Sequence, residues 1–330
     1  MSIDVHAHYV SPRVFAELRA RPSVYGVVVP ASDPPRVAFP DEPPPRPVLP
    51  ALFNLDAHRA YMDSQQIHTL VLSPLLDLVG YSLPPEQGAS LSRLINESLA
   101  RDLEGASGTR RFLGLATVPM QDPHRAADEL VFGVRELCLR GAMFDTNVQD
   151  RDLGDPKFDP FWEAAQNLGV PVFLHPFALA PMRRFNRYYL HNVVGYPFET
   201  TLAAAGLIFG GVLGRFPRLR VVLVHGGGFL PYQIGRFDRA FTARDEARMP
   251  GAAAPSQFLR AFFYDSLTHA PAALRFLVDV VGADRVLLGS DFPFGMGDPE
   301  PVRAIEEAGV DAETKQAICT TNAGRLFGDP

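Results

Sequence analysis

Short apolar runs, rich in β-branched residues, recur along the chain near positions 3, 68, 112, 141, 170, 219, 262 and 286. Most are unbroken, as in Thr69-Leu70-Val71-Leu72 and Val221-Val222-Leu223-Val224. A strand with one wet face alternates apolar and polar residues, so an unbroken run is a strand buried on both faces. Such strands are parallel and covered by helices. Between the runs, helical spacing of apolar residues predicts helices over 56–65, 90–103, 122–139, 158–168, 200–215, 231–240, 271–281 and 301–307. Eight alternating units predict a (β/α)8 barrel. The competing doubly wound sheet usually opens on a Gly-rich turn. Here the first strand runs into His6-Ala7-His8 instead.

The rhythm fails over 12–52, where prolines stand at 30, 34, 35, 40, 43, 44, 45, 47 and 50. Proline removes a backbone donor and fixes φ, so this density excludes regular core elements. The expectation is one barrel domain over 1–330 with a small Pro-rich insertion after the first strand, at about 12–52. The insertion would hold at most a hairpin around 27–29 and 37–39. Long ordered loops in compact enzymes are usually lids or binding loops.

Composition narrows the class. With 330 residues, 47% apolar and 21% charged, the chain can bury a large core and is not disordered. A net charge of -6 excludes the excess of cations that nucleic acid requires. Two cysteines, Cys138 and Cys319, make no disulfide framework, which points to a reducing compartment. No basic leader and no apolar run of membrane-spanning length is present, so the expectation is a cytoplasmic protein with no membrane partner.

The candidate chemistry lies at strand ends. His6 and His8 are two apart on a strand and share one face. His175 follows the run 170–174, His225 follows 221–224 and Asp291 follows 286–290. In a barrel the C-terminal ends of the strands meet at one mouth, where active sites sit. Four imidazoles and a carboxylate there suit one borderline divalent ion, Zn²⁺ first, with a coordination position left open. Gly226-Gly227-Gly228 after His225 lets the backbone turn without crowding that mouth. His58 and His124 fall on helices, His68 at the opposite mouth and His191 in a loop. His269, just past the seventh strand, falls beside the site.

His6-x-His8, Phe173-Leu174-His175-Pro176, Val224-His225-Gly226-Gly227-Gly228 and Leu288-Gly289-Ser290-Asp291-Phe292-Pro293-Phe294 occur in this order. Together they resemble the metal-dependent decarboxylase branch of the amidohydrolase superfamily. The resemblance implies a distorted (β/α)8 barrel holding one divalent ion, usually zinc, through His6, His8, His175 and Asp291. His225 would be the acid/base acting on water at the metal. Arg46, on the flap, would bind a substrate carboxylate. Arg236 would do so across the interface of a homodimer. Phe294, in the last motif, and Phe177 would line the substrate pocket. Where the family carries tryptophans, this chain has Phe177, Phe185, Tyr188 and Tyr189, and its one tryptophan, Trp162, falls on a helix. Aromatic-acid members often replace the first histidine with glutamate, so His6 leans toward the muconate-semialdehyde type. The implied activity is loss of CO₂ from a small unsaturated or aromatic carboxylic acid. The alternative is a hydrolase or hydratase of a small cyclic or unsaturated acid built on the same ligands. A binding module is disfavoured, since an open metal beside a free imidazole has no structural use.

Overall fold

The computed structural model describes residues 2–39, 47–106, 111–177, 179, 183–247 and 253–328. The eight expected strands form: β1 (Ile3–His8), β2 (Thr69–Ser73), β3 (Phe112–Gly114), β4 (Ala142–Phe144), β5 (Pro171–Leu174), β6 (Arg220–Leu223), β7 (Phe262–Asp265) and β8 (Val286–Leu287). Neighbours pair in parallel from β1 to β3 and from β4 to β8. Two parallel bridges close the ring, Ala116 with Ala142 and Ala7 with Phe292. At the second, His8 N donates to Phe292 O at 2.7 Å and Asp291 N to His6 O at 2.7 Å. The barrel is therefore closed but distorted at both of these seams, where single hydrogen bonds replace a continuous ladder.

All six residues of β1 are buried, and Val221, Val222 and Leu223 of β6 are wholly inaccessible. The unbroken apolar runs thus have the cause inferred for them, helices outside and packed side chains inside. Each fully buried Val or Leu contributes about 1.5–3 kcal/mol relative to an exposed one. The eight expected helices are present within a few residues of their predicted bounds, with Pro271–Val281 and Pro301–Glu307 matching at both ends. Predicted 200–215 divides into Tyr196–Phe209 and Val212–Arg215, with Gly211 between them in the left-handed region.

The segment after β1 corrects one expectation. It is not irregular at its start, because Pro12–Ala20 is a helix. The Ser11 side chain accepts from Arg13 N and Pro12 occupies the first turn, a capping signal that the downstream prolines masked. Val14, Phe15 and Leu18 point from this helix into a second hydrophobic cluster with Leu75, Leu91 and Ile95. The expected hairpin reduces to one antiparallel bridge, Val28 with Ala38. Residues 40–46 lie outside the described residues, and Arg46 with them. Two short C-terminal helices, Ala312–Gln316 and Asn322–Phe327, were not predicted. The π-turn between them matters, because Leu288 N donates to Ile318 O at 3.0 Å where the β8 segment runs toward the mouth. Among the described residues no helix is long and apolar enough to cross a membrane.

Candidate metal centre and active site

Strand periodicity aims Asp4, His6 and His8 of β1 at the barrel interior. His175 follows β5 directly, while His225 and Asp291 stand in the left-handed region at φ +55° and +61°, just past β6 and β8. One ligand atom each from His6, His8, His175 and Asp291 falls within 4.8 Å of all the others, and all four residues are buried. Asp291 Oδ1 lies 3.1 Å from His8 Nε2, 3.3 Å from His6 Nε2 and 3.8 Å from His175 Nε2, and the first two nitrogens are 3.2 Å apart. A tetrahedral ion with bonds of about 2.0–2.1 Å has ligand atoms about 3.4 Å apart, so the spacing fits one cation. His175 Nε2 and Asp291 Oδ1 are buried with no hydrogen-bond partner, a costly state that a metal ion relieves.

The outer nitrogens explain why the inner ones converge. His6 Nδ1 is 2.8 Å from Asp265 Oδ2, His8 Nδ1 3.0 Å from Pro74 O and His175 Nδ1 3.1 Å from Pro176 O. Each oxygen is an acceptor, so the proton sits on Nδ1 and the Nε2 lone pair faces inward. Burial opposes charge on His6, but Asp291 and Asp265 outweigh it and hold its pKa up at about 10. Burial likewise disfavours the Asp291 anion, yet neighbouring His6 keeps that carboxyl well below the usual range. Burial pushes His175 down to about 3, with the surrounding imidazoles adding to the shift. Two buried anions thus demand positive charge here, which a divalent cation supplies in place of the proton.

Three supporting residues escaped the sequence reading. Asp265 closes β7, receives His6 Nδ1 and accepts from Gly226 N at 2.8 Å, linking a metal-facing ring to the turn after His225. Asp4, its pKa raised to about 6 by burial, accepts from His6 N, Ser290 N and Tyr61 OH. Its signal was available, since Asp4-x-His6-x-His8 continues one period-2 face. His58, on the helix Leu55–Ser64, is wholly buried against the backbone of His8.

Gly289 allows the His6–Asp265 pair to form, because a Cβ there would stand 2.8 Å from Asp265 Cβ and 3.1 Å from His6 Cβ. Gly228 ends the turn after His225 at φ +62°, ψ -128°, a conformation open essentially to glycine alone. A Cβ there would meet Pro197 O at 2.2 Å. Gly228→Ala is therefore expected to cost at least about 1–3 kcal/mol, read as a lower urea midpoint at unchanged m-value.

Above the ring cluster opens a cavity of about 830 Å³, reached by His8, His175, His225 and Asp291 and walled by Phe177, Phe294 and other largely apolar side chains. Phe294 also packs edge-on against His8, with ring centres 5.0 Å apart. His269 lines the same cavity, whereas His191 leans on Tyr189 at its wall. His225 Nε2 is 3.8 Å from Asp291 Oδ2 and stands outside the four-atom cluster. Arg236 is exposed on the helix Leu230–Ala243 and does not line the cavity of its own chain.

A closed parallel barrel with three imidazoles and a carboxylate converging at its C-terminal mouth is the build of a metal-dependent barrel enzyme. The amidohydrolase family model matches residues 84–328, and the chain belongs to that family. It is 35% identical over 272 residues to 2-amino-3-carboxymuconate-6-semialdehyde decarboxylase of Dictyostelium discoideum, covering 82% of this chain and 75% of the relative. The crystal structure of 5-carboxyvanillate decarboxylase from Sphingomonas paucimobilis superposes with a TM-score of 0.82 at 29% identity, covering 100% and 99% of the two chains. Dihydroxybenzoic acid decarboxylase from Polaromonas sp., solved with bound manganese and 2-nitroresorcinol, gives 0.82 at 25% identity over 99% and 96%. These relatives are decarboxylases, and the donor set described above is that of a divalent-metal site.

Proposed function

We propose that this protein is a metal-dependent decarboxylase of a small unsaturated or aromatic carboxylic acid, of the muconate-semialdehyde type. His6, His8, His175 and Asp291 hold one divalent ion, and His225 is the acid/base. The observation that carries this reading is the convergence of four buried ligand atoms beneath a largely apolar cavity, in a chain whose relatives bear decarboxylase names. Three nitrogens and one oxygen favour Zn²⁺, which binds such donors more tightly than Mn²⁺ when both are available. Metal analysis of protein produced without metal supplements separates zinc from the manganese seen in the Polaromonas structure.

The ion, when bound, supplies Lewis-acid chemistry, polarising substrate oxygens and lowering the pKa of water. The chain's own groups do the rest. His225 lines the cavity and delivers a proton to the carbon that bears the carboxylate. Protonation there interrupts conjugation, the C–C bond breaks, its electron pair restores the conjugated system, and CO₂ leaves. Phe177 and Phe294 hold the planar body of the substrate and exclude water. Incubation with carboxylated semialdehydes and hydroxybenzoic acids, following the ultraviolet spectrum of the conjugated acid, tests the reading. Spectral loss with a product one carboxylate smaller supports it.

A second acidic group needs a cation. Arg46 on the flap and Arg236 from a second subunit fill that role in this reading, Arg being suited by its two-pronged match to a carboxylate. The flap reaches the mouth, as Leu49 lines the cavity. A homodimer is supported by the exposed apolar rim beside Arg236, where Tyr232 is 75% and Phe276 39% exposed. The chain is read as one barrel domain over 1–330 with the inserted flap at about 12–52. A cytoplasmic location is supported by two free cysteines, one of them exposed. Mixing an Arg236→Ala chain with a His225→Ala chain tests the shared site. If Arg236 acts across the interface, the mixed dimer has one intact site and regains turnover, as an isologous contact requires. No recovery despite proven subunit exchange places Arg236 outside the partner's site.

A further inference from the structure

His58 has no task in the chemistry above, yet it is wholly buried behind the centre. Its ring lies between Tyr9, with centres 5.6 Å apart, and Phe292, 5.1 Å apart, both in edge contact. These residues directly follow His8 and Asp291. Tyr61, three residues on along the same helix, stacks on Phe292 with ring centres 4.2 Å apart. His58 Nε2 lies 2.9 Å from His8 O and Nδ1 2.9 Å from Asn54 O. A neutral imidazole has one N–H, so it serves one of the two carbonyls. Asn54 O already receives the backbone N–H of Ala57 at 3.1 Å and of His58 at 3.4 Å. The proton therefore serves best on Nε2, donated to His8 O.

The contact falls at one of the two seams where an isolated bridge closes the barrel. β1 and the Asp291 segment are joined by isolated hydrogen bonds instead of a full ladder. Ligand spacing across that seam needs a second restraint, and one ring contacts both strands at the residues beside the ligands.

We propose that His58 is a positioning residue of the metal centre, its Nε2–H pinning the His8 carbonyl and with it the exit of β1. The proposal rests on His8 and Asp291 being ligands. Outer contacts to a metal site are worth about 10–100-fold in affinity when lost.

Glutamine places an amide nitrogen near the position of Nε2, and asparagine near that of Nδ1. With Co²⁺ as the probe, we expect His58→Gln to keep affinity within a few-fold of wild type, with the same visible spectrum. His58→Asn is expected to lose about 10–100-fold in Co²⁺ affinity by chelator competition, with altered d–d bands and an intact far-ultraviolet CD spectrum. A merely structural role would lower the melting temperature of both variants and leave the Co²⁺ spectrum of the folded protein unchanged. Equal affinity and spectra in both overturn the proposal, as does equal loss in both. His8→Ala, run alongside, separates the two claims. If His8→Ala keeps the ion, the ligand assignment fails, whereas loss there with no difference between the His58 variants rejects only the role of His58.

Discussion

His225→Ala is expected to keep a full complement of metal and to lose about 10²–10⁴-fold in kcat, the usual contribution of a positioned general acid/base. The expectation follows from where the ring sits. His6, His8 and His175 each turn Nδ1 outward to a fixed acceptor and Nε2 inward to the cluster. His225 Nε2 comes to 3.8 Å from Asp291 Oδ2 and the ring packs edge-on against His175, with centres 5.0 Å apart, and its side chain is more open to the cavity than the other three. It can therefore meet a substrate without leaving a coordination position. The competing assignment exchanges His175 and His225, with His225 the ligand and His175 the base. Metal content of the two single alanine variants decides. Loss of metal in His225→Ala and retention in His175→Ala would reverse the roles.

His8→Ala and Asp291→Ala are expected to empty the site and reduce turnover by about 10³-fold or more, since a catalytic metal contributes several kcal/mol to the transition state. Removing Asp291 strips the buried anion that faces all three rings, and removing His8 opens one corner of the donor set. Stability supplies an independent readout. Wild-type protein in metal at 100 times its dissociation constant should gain about 2.7 kcal/mol against unfolding, and the variants should gain far less at the same concentration. Equal metal stoichiometry in the variants and the parent would remove these residues from the ligand set.

The barrel was legible because its cause is local. A strand buried on both faces must be apolar throughout, and that shows as an unbroken run whatever lies far away. The mouth cluster was legible for a related reason, as strand ends are readable and the parallel topology brings them together. The helix Pro12–Ala20 carried a clear signal in Ser11-Pro12, but proline density over the following residues dominated the reading. Asp265 and His58 were not legible as supports. Their partners lie 259 and 50 residues away, and nothing in either local pattern distinguishes a buried hydrogen-bonding side chain from a solvated one. Asp4 was missed for a different reason, since its place on the His6 and His8 face was open to the same period-2 argument.

The most direct measurement counts CO₂ released per molecule of acid consumed by metal-loaded protein, with the scissile carboxylate isotopically labelled, before and after chelation and after return of the ion. The account predicts one CO₂ per turnover, cessation when the metal is removed and recovery when Zn²⁺ is restored. Consumption of the acid with its label retained in a hydrated or hydrolysed product, or CO₂ release that persists in the metal-free protein, would contradict it.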